Sequence, residues 1–208
     1  MPEALFHQID SEKRERIIRA GIAEFADQSY NEASTNAIVQ AAGISKGSLF
    51  KYFADKEDLY FYLLDEVVAG LIAGVSTGAQ ALKGDVFEVI LRYAELEFSW
   101  HMEHPVEYRF LKRAFAPDAS DIHRKTGERY GAVGQSMFDH LLSGMETGRL
   151  RWDRERTARL LQWFLQGFNE EFVRRYAACE SIPELKERYI SEISQYMEMI
   201  RKGVDTDV

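Results

Sequence analysis

Ser34-Thr35-Asn36-Ala37-Ile38-Val39-Gln40-Ala41-Ala42-Gly43-Ile44-Ser45-Lys46-Gly47-Ser48-Leu49-Phe50-Lys51-Tyr52-Phe53 is the stretch on which the reading of this 208-residue chain turns. Ser34 or Thr35 offers a side-chain oxygen to an orphan backbone N–H and so starts a helix, which turns Ile38, Ala41 and Ala42 inward. Gly43 stops that helix, because glycine enters the left-handed conformation at little cost. Ser45 is a second N-cap, and it opens a helix from Lys46 to Phe53 with Leu49 and Phe53 inward at i, i+4. Two short helices joined by Ala42-Gly43-Ile44-Ser45 have the spacing of a helix-turn-helix, whose second helix fits a major groove about 12 Å wide. Lys46, Gly47, Ser48 and Lys51 point outward there. Gly47 puts no side chain between backbone and DNA. Ser45, Ser48 and Tyr52 offer hydroxyls to phosphates, Lys46 and Lys51 offer charge, and Lys56 stands at a further helix start where N–H groups favour an anion. On spacing alone a second reading stands beside this one: a three-helix core whose exposed lysines are merely solvated.

Outward from this stretch almost every segment has helical period, with no alternating apolar run, repeat or low-complexity tract. The expected fold is all-α, with about nine helices. The first runs from Ser11 to Ala26, capped by Asp10 or Ser11, with Ile18, Gly21, Ile22 and Phe25 as its buried stripe. A fourth follows Asp55, with Asp58 as a reciprocal cap, and reaches about Val75. Later helices are expected at Val86 to His104, Val106 to Phe115, Ser120 to Thr147, Arg154 to Ala178 and Pro183 to Lys202. Gly84, Pro105, Pro117, Gly148 and Pro183 punctuate them. This divides the chain into a three-helix domain over 1–56 and a larger helical domain over 57–208.

Composition narrows the function. Lys and Arg total 26 against 34 Asp and Glu, a net charge of −8, so the chain does not coat nucleic acid non-specifically, and any DNA contact must be local. Even residues 1–60 hold seven basic side chains against ten acidic ones. The one cysteine, Cys179, excludes a disulfide framework and a cysteine-based zinc cluster and suits a reducing cytoplasm; beside Glu180 it reads as inert. Met1 to Asp10 has no basic n-region, and the apolar run Leu59 to Val75 is broken by Asp65 and Glu66, so neither an export nor a membrane segment is expected. No nucleophile elbow or phosphate-binding glycine loop points to an enzyme, and no cofactor is implied.

The contiguous stretch from Ser34 to Leu59, ending Ala54-Asp55-Lys56-Glu57-Asp58-Leu59, closely resembles the signature of the tetracycline-repressor (TetR) family. The likeness is strong over Ser11 to Leu64 and loose beyond, where it rests on helix count and on Gly148-Arg149-Leu150. The resemblance implies a DNA-binding domain joined to a variable helical domain for ligand binding and dimerisation. It implies phosphate or base contacts from Thr35, Ser45, Lys46, Ser48, Tyr52 and Lys56. Two positions depart from it. Phe50 stands where the family often has tyrosine, which removes one phosphate hydrogen bond, and Ser29 stands where glycine usually ends the first helix.

In the larger domain, Glu88, Arg92, Glu95, Ser99 and Glu103 make the polar stripe of the helix from Val86. Val86, Ile90, Tyr93 and Trp100 share the opposite face with Glu97 and His101. Three readings of Glu97 are open: an internal pair with His101, Arg109 or Arg113; the polar end of a pocket for an otherwise apolar effector; or a metal site with His101 and His104 at i, i+4, i+7, of which His104 before Pro105 looks more like a helix end. No resident metal is assigned. Tyr108, Tyr130, Phe138, Trp163 and Phe168 join Tyr93, Glu97, Trp100 and His101 as candidate ligand-lining residues, without selecting a ligand class. Ala158, Leu161, Leu165, Phe168 and Phe172 form one apolar stripe; Ile182, Leu185, Tyr189, Ile193, Tyr196 and Ile200 form another. The two stripes either pack on each other within one chain or, as the resemblance implies, build a four-helix interface of a homodimer. Leu161, Leu165, Phe172, Leu185, Tyr189, Ile193 and Tyr196 are then its candidates. A two-fold dimer places two recognition helices about 34–36 Å apart on a palindromic operator. The expected function is a cytoplasmic repressor released from double-stranded operator DNA by a small, largely hydrophobic effector; the alternative is a DNA-binding regulator or architectural protein with none.

Overall fold

The computed structural model describes residues 4–79, 82–116, 120–143, 145–146, 152–176 and 182–204. Among them the order is α1 (Ala4–Gln8), α2 (Ser11–Asp27), α3 (Thr35–Ala42), α4 (Lys46–Leu49), α5 (Lys56–Ala79), β1 (Gly84–Asp85), α6 (Val86–Glu103), α7 (Pro105–Phe115), α8 (Asp121–Ser143), β2 (Met145–Glu146), α9 (Arg154–Tyr176) and α10 (Ile182–Val204). The fold is all-α, and its only strands among the described residues are a two-residue parallel pair, Gly84 beside Met145 and Asp85 beside Glu146. Nine of the ten helices among the described residues stand where the periodicity places them; α1 is the addition. The chain divides into two compact units, Met1–Ile72 with His104–Ala132, and Ala73–Glu103 with Val133–Val208. The helices α5 and α8 therefore each contribute to both.

In the first unit, local hydrogen bonding sets the helix starts. Asp10 accepts from the Lys13 N–H at 3.1 Å, Ser34 from Ala37 at 3.4 Å, and Ser45 from Ser48 at 3.1 Å. At the head of α5 the Asp58 N–H donates to Asp55 at 2.8 Å, while Asp58 accepts from the Ala54 N–H at 3.2 Å. Each such cap contributes about 1 kcal/mol. The end of α3 is closed by Gly43 at φ 67°, ψ 37°. Its N–H reaches Gln40 O at 3.2 Å and the Ile44 N–H reaches Val39 O at 3.0 Å, the two crossed bonds of a Schellman closure. Regular α4 is shorter than expected. After Leu49 the chain tightens into turns, with Tyr52 and Phe53 both donating to Leu49 O, and this still brings Leu49 and Phe53 to the core together.

Ile17, Gly21, Ile22 and Phe25 form the buried stripe of α2, one position from the expected start at Ile18, and Val39 rather than Ala41 is buried on α3. They meet Ile38, Leu49, Phe53, Leu59 and Leu63. The first turn of the chain, α1, exists because Phe6 fits there. Its ring is fully buried, 4.8 Å from Phe53 and 5.4 Å from Tyr62 between centroids, and such burial stabilises by about 1.5–3 kcal/mol. α7 lies along α2, where Phe110 faces Phe25 and Tyr60. Arg113 donates to the Ala26 and Asp27 carbonyls at 3.2 and 3.3 Å, satisfying the open end of α2. The stretch Lys56–Ser76 of α5 is long and apolar enough to cross a membrane. Within this unit, however, Leu59, Tyr60, Leu63, Leu64 and Val67 are core, and Asp65 is bound by Arg129 and Tyr130.

The second unit is built on α6, α9 and α10. Val86, Val89, Ile90, Ala94 and Phe98 pack with Ala158, Leu161, Leu165 and Phe172 and with Leu185, Tyr189, Ile193 and Met197. Phe98 and Tyr189 stack at 3.9 Å with planes 8° apart, and the buried Tyr189 hydroxyl donates to Asn169 at 2.6 Å. This corrects the expected interface. Leu161, Leu165, Phe172, Leu185, Tyr189 and Ile193 are buried in the core of a single chain, because α6 supplies the third surface that the two stripes alone lacked. Of the expected interface residues only Tyr196 is exposed.

A left-handed backbone is costly for any residue with a Cβ, by about 1–2 kcal/mol. Gly43→Ala is expected to lower stability by that amount in denaturant unfolding, although a Cβ there would touch nothing within 4 Å. An unchanged midpoint would show that the closure at Gly43 does not hold α3 against α4.

Candidate functional site

The outward face of the α4 region carries Lys46, Gly47, Phe50 and Lys51, all exposed, with Ser48 half-buried beside them. This face exists because Leu49, Tyr52 and Phe53 take the inward positions. Neither Lys46 nor Lys51 has an ion-pair partner among the described residues, so their charge is open to an anion. Ser45 and Ser48 share a hydrogen bond of 2.9 Å between their hydroxyls, so one of the two keeps its O–H to donate to a phosphate. Thr35 is half-buried at the first turn of α3.

The other two residues expected at phosphates are placed differently. Tyr52 is only 6% exposed, its ring 5.6 Å from Phe6, and its hydroxyl accepts from the Lys13 ammonium at 3.1 Å. The Lys56 ammonium donates to the Ala33 carbonyl at 2.9 Å and to Asn31 at 3.4 Å, and lies 4.7 Å from the centre of the Tyr30 ring. Desolvation holds the Lys56 pKa below the ordinary lysine value. Both side chains thus brace the turns around α3 and α4. Periodicity could not reveal this, because their partners lie 23 and 39 residues away. Sequence reasoning also passed over Arg16, which donates to the Ala42 carbonyl at 3.3 Å and so supports the end of α3 directly.

On α6, Glu97 and His101 come together as expected, with Glu97 Oε1 3.9 Å from His101 Nε2. That distance is too long for a hydrogen bond. A protonated imidazole would pull the carboxyl down, yet burial prevails and pushes Glu97 up to about 7, although 28% of its side-chain surface is exposed. Tyr93, one turn earlier, is raised by burial and by the Glu97 charge. Trp100 is buried against α5; a Cβ on Gly74 would come within 2.5 Å of its indole. The other partners considered for Glu97 are engaged elsewhere, Arg109 with Asp27 at 3.1 Å and Arg113 with the end of α2. His104 does not extend the i, i+4 row, because α6 ends at Glu103 and His104 leaves the helical conformation ahead of Pro105.

The remaining expected ligand-lining residues are divided between the two units. Tyr108 and Tyr130 belong to the first unit, where the Tyr130 hydroxyl donates to Asp65 at 2.6 Å. Trp163 is 65% exposed on α9. The side chain of Phe138 and the whole of Cys179 lie outside the described residues. Phe168 instead lines a cavity of about 200 Å³ with Phe164, Phe172 and Tyr196, rimmed by Glu171, Arg175 and Glu192. The rim was not legible in the sequence, because it joins charges of two helices 17 and 21 residues apart.

Residues 17–63 match the family model described as bacterial regulatory proteins, tetR family. Over 143 residues the chain is 34% identical to the HTH-type transcriptional activator FasR of Mycolicibacterium smegmatis, a match covering 67% of this chain and 64% of that protein. The chain therefore spans just under two thirds of that relative. It is 26% identical over 141 residues to the HTH-type transcriptional repressor Rv1474c of Mycobacterium tuberculosis, covering 68% and 71% of the two. A TetR family transcriptional regulator from Chloroflexus aurantiacus J-10-FL has the same fold, with a TM-score of 0.75 at 23% identity over 99% of both chains.

The raised Glu97 carboxyl generates a pH prediction. Below its ordinary value of 4.5 it is protonated in folded and unfolded chains alike; between 4.5 and about 7 the unfolded chain loses the proton first. Stability therefore falls as pH rises through that window. Melting temperatures from pH 4 to 8 should show wild type losing ground to Glu97→Gln between pH 4.5 and 7. Parallel curves would contradict it.

Proposed function

We propose that this chain, which belongs to the tetR family of bacterial regulatory proteins, is a sequence-specific, cytoplasmic transcriptional regulator that binds double-stranded operator DNA through α4. The observation that carries this reading is the exposed face of Lys46, Gly47, Phe50 and Lys51, backed by an inward row that fixes its orientation. Lys46, Gly47, Ser48 and Lys51 approach the major groove, and Ser45 and Thr35 add hydroxyls at its edge. Tyr52 and Lys56 position this face. The DNA-contacting segment is residues 1–56; effector binding and dimerisation belong to 57–208. No catalytic step is part of this reading.

Two copies form a two-fold dimer, which sets two α4 helices on one palindrome. The surface for it is the exposed apolar set of α9 and α10, namely Leu160, Trp163, Tyr196 and Met199, which takes the place of the buried residues expected there. A largely hydrophobic effector binds the second unit and favours one of two states of the dimer, changing operator affinity by its differential affinity for them. Glu97, held near neutrality, serves as the polar end of that site. The reading favours a repressor. A regulator without an effector is the second reading, favoured by the way Trp100 fills the space against Gly74.

Replacing Lys46 and Lys51 together by alanine should weaken binding to a duplex selected from a random pool by at least tenfold, and lower the salt slope by about one per lysine in each subunit. Affinity and slope equal to wild type would sink the assignment. Trp163→Glu with Met199→Glu should yield monomers in sedimentation; an intact dimer would place the interface elsewhere.

A further inference from the structure

Among the described residues of the first unit, the large apolar side chains left exposed are Leu5, Phe50 and Phe115. Only Phe50 stands on the face assigned to DNA. We infer that Phe50 is a specificity-determining residue, its ring packing on the 5-methyl group of a thymine in the major groove. This inference rests on the DNA-binding reading above.

Its position carries the argument. The Phe50 N–H donates to Lys46 O at 3.1 Å, so Phe50 lies one turn beyond Lys46 and three residues beyond Gly47, on the side both present. Leu49, Tyr52 and Phe53 occupy the core positions, and Phe50 is 40% exposed. Beside it Gly47 leaves a notch, since a Cβ there would meet only Ser45 Oγ, at 4.0 Å. Lys46 and Lys51 flank the ring with unpaired positive charge, complementary to the phosphates on either side of a groove. A phenyl ring can neither donate to a phosphate nor read a hydrogen-bonding base edge. Within the major groove the thymine 5-methyl is the apolar feature that marks one base. Phe50 between two lysines therefore selects thymine by contact, while the lysines fix register without reading sequence.

The test uses the full-length chain and a duplex it selects from a random-sequence pool. Each thymine is then replaced in turn by deoxyuridine, which removes the methyl group and leaves the pairing edge unchanged. At one thymine per half-site the replacement should weaken wild-type binding about fourfold, the worth of one buried methyl group. Phe50→Ala should bind the thymine and uracil duplexes equally, with an unchanged circular-dichroism spectrum. If Phe50→Ala does not fold, Phe50→Gln, of similar length with a polar tip, should lose the same discrimination. Wild-type indifference to every replacement, or discrimination that survives in these variants, overturns the assignment and leaves DNA binding standing. A pool from which nothing is enriched overturns the DNA-binding reading and this inference with it.

Discussion

At Gly43 the chain makes a left-handed turn, and the placement of α4 depends on it. The two N–H groups that close α3 there, from Gly43 and Ile44, would otherwise leave open carbonyls at a helix end. Closing them points the chain so that Ser45 falls at the cap of α4 and Leu49 at the core. Once Leu49 and Phe53 are inward, Lys46, Gly47, Phe50 and Lys51 have only the outside to occupy. Longer-range bonds hold the same turn. Arg16 donates to Ala42 O from α2, and Lys56 ties the 31–33 turn from the head of α5. A weak local preference is thereby locked by tertiary contacts whose partners are far away in sequence.

The net charge of −8 and a DNA-binding face are compatible because many basic side chains elsewhere among the described residues are already paired with acids. Arg124 pairs with Asp121 and Glu128, Lys125 with Glu57 and Asp121, and Arg175 with Glu171 and Glu192. Exposed pairs of this kind contribute about 0–1 kcal/mol each, so they do little for stability, but they remove charge from the far field. Lys46 and Lys51 stand apart from this network. On the proposed reading few charges meet the phosphates, so selectivity is drawn from the bases, and an exposed phenyl ring among them carries weight.

Capping and periodicity are local, and what they govern was legible in the sequence: Asp10, Ser34, Ser45, the Asp55 and Asp58 exchange, and nine helices. Burial by distant elements was not. The five residues of α1 carry no periodic signal, and the helix forms because Phe6 finds a fully buried place beside Phe53 and Tyr62. Tyr52 and Lys56 have the chemistry of phosphate ligands, but their polar groups meet Lys13 and the 31–33 carbonyls first. An apolar stripe announces that something covers it without saying what. The stripes of α9 and α10 are covered by α6 of the same chain, which leaves Leu160, Trp163 and Met199 as the surface a second copy would meet. Spacing put Glu97 and His101 one turn apart on α6; that burial raises the Glu97 carboxyl required the fold.

The claim on which the account rests is that α4 enters a major groove, twice, in a two-fold arrangement. Dimethyl sulfate probing of guanine N7, a major-groove atom, on a duplex selected by the full-length chain tests it most directly. The account predicts two protected clusters centred about 10 base pairs apart or a multiple of that spacing. Unprotected N7 positions throughout a bound duplex, or protection confined to adenine N3 in the minor groove, would contradict it.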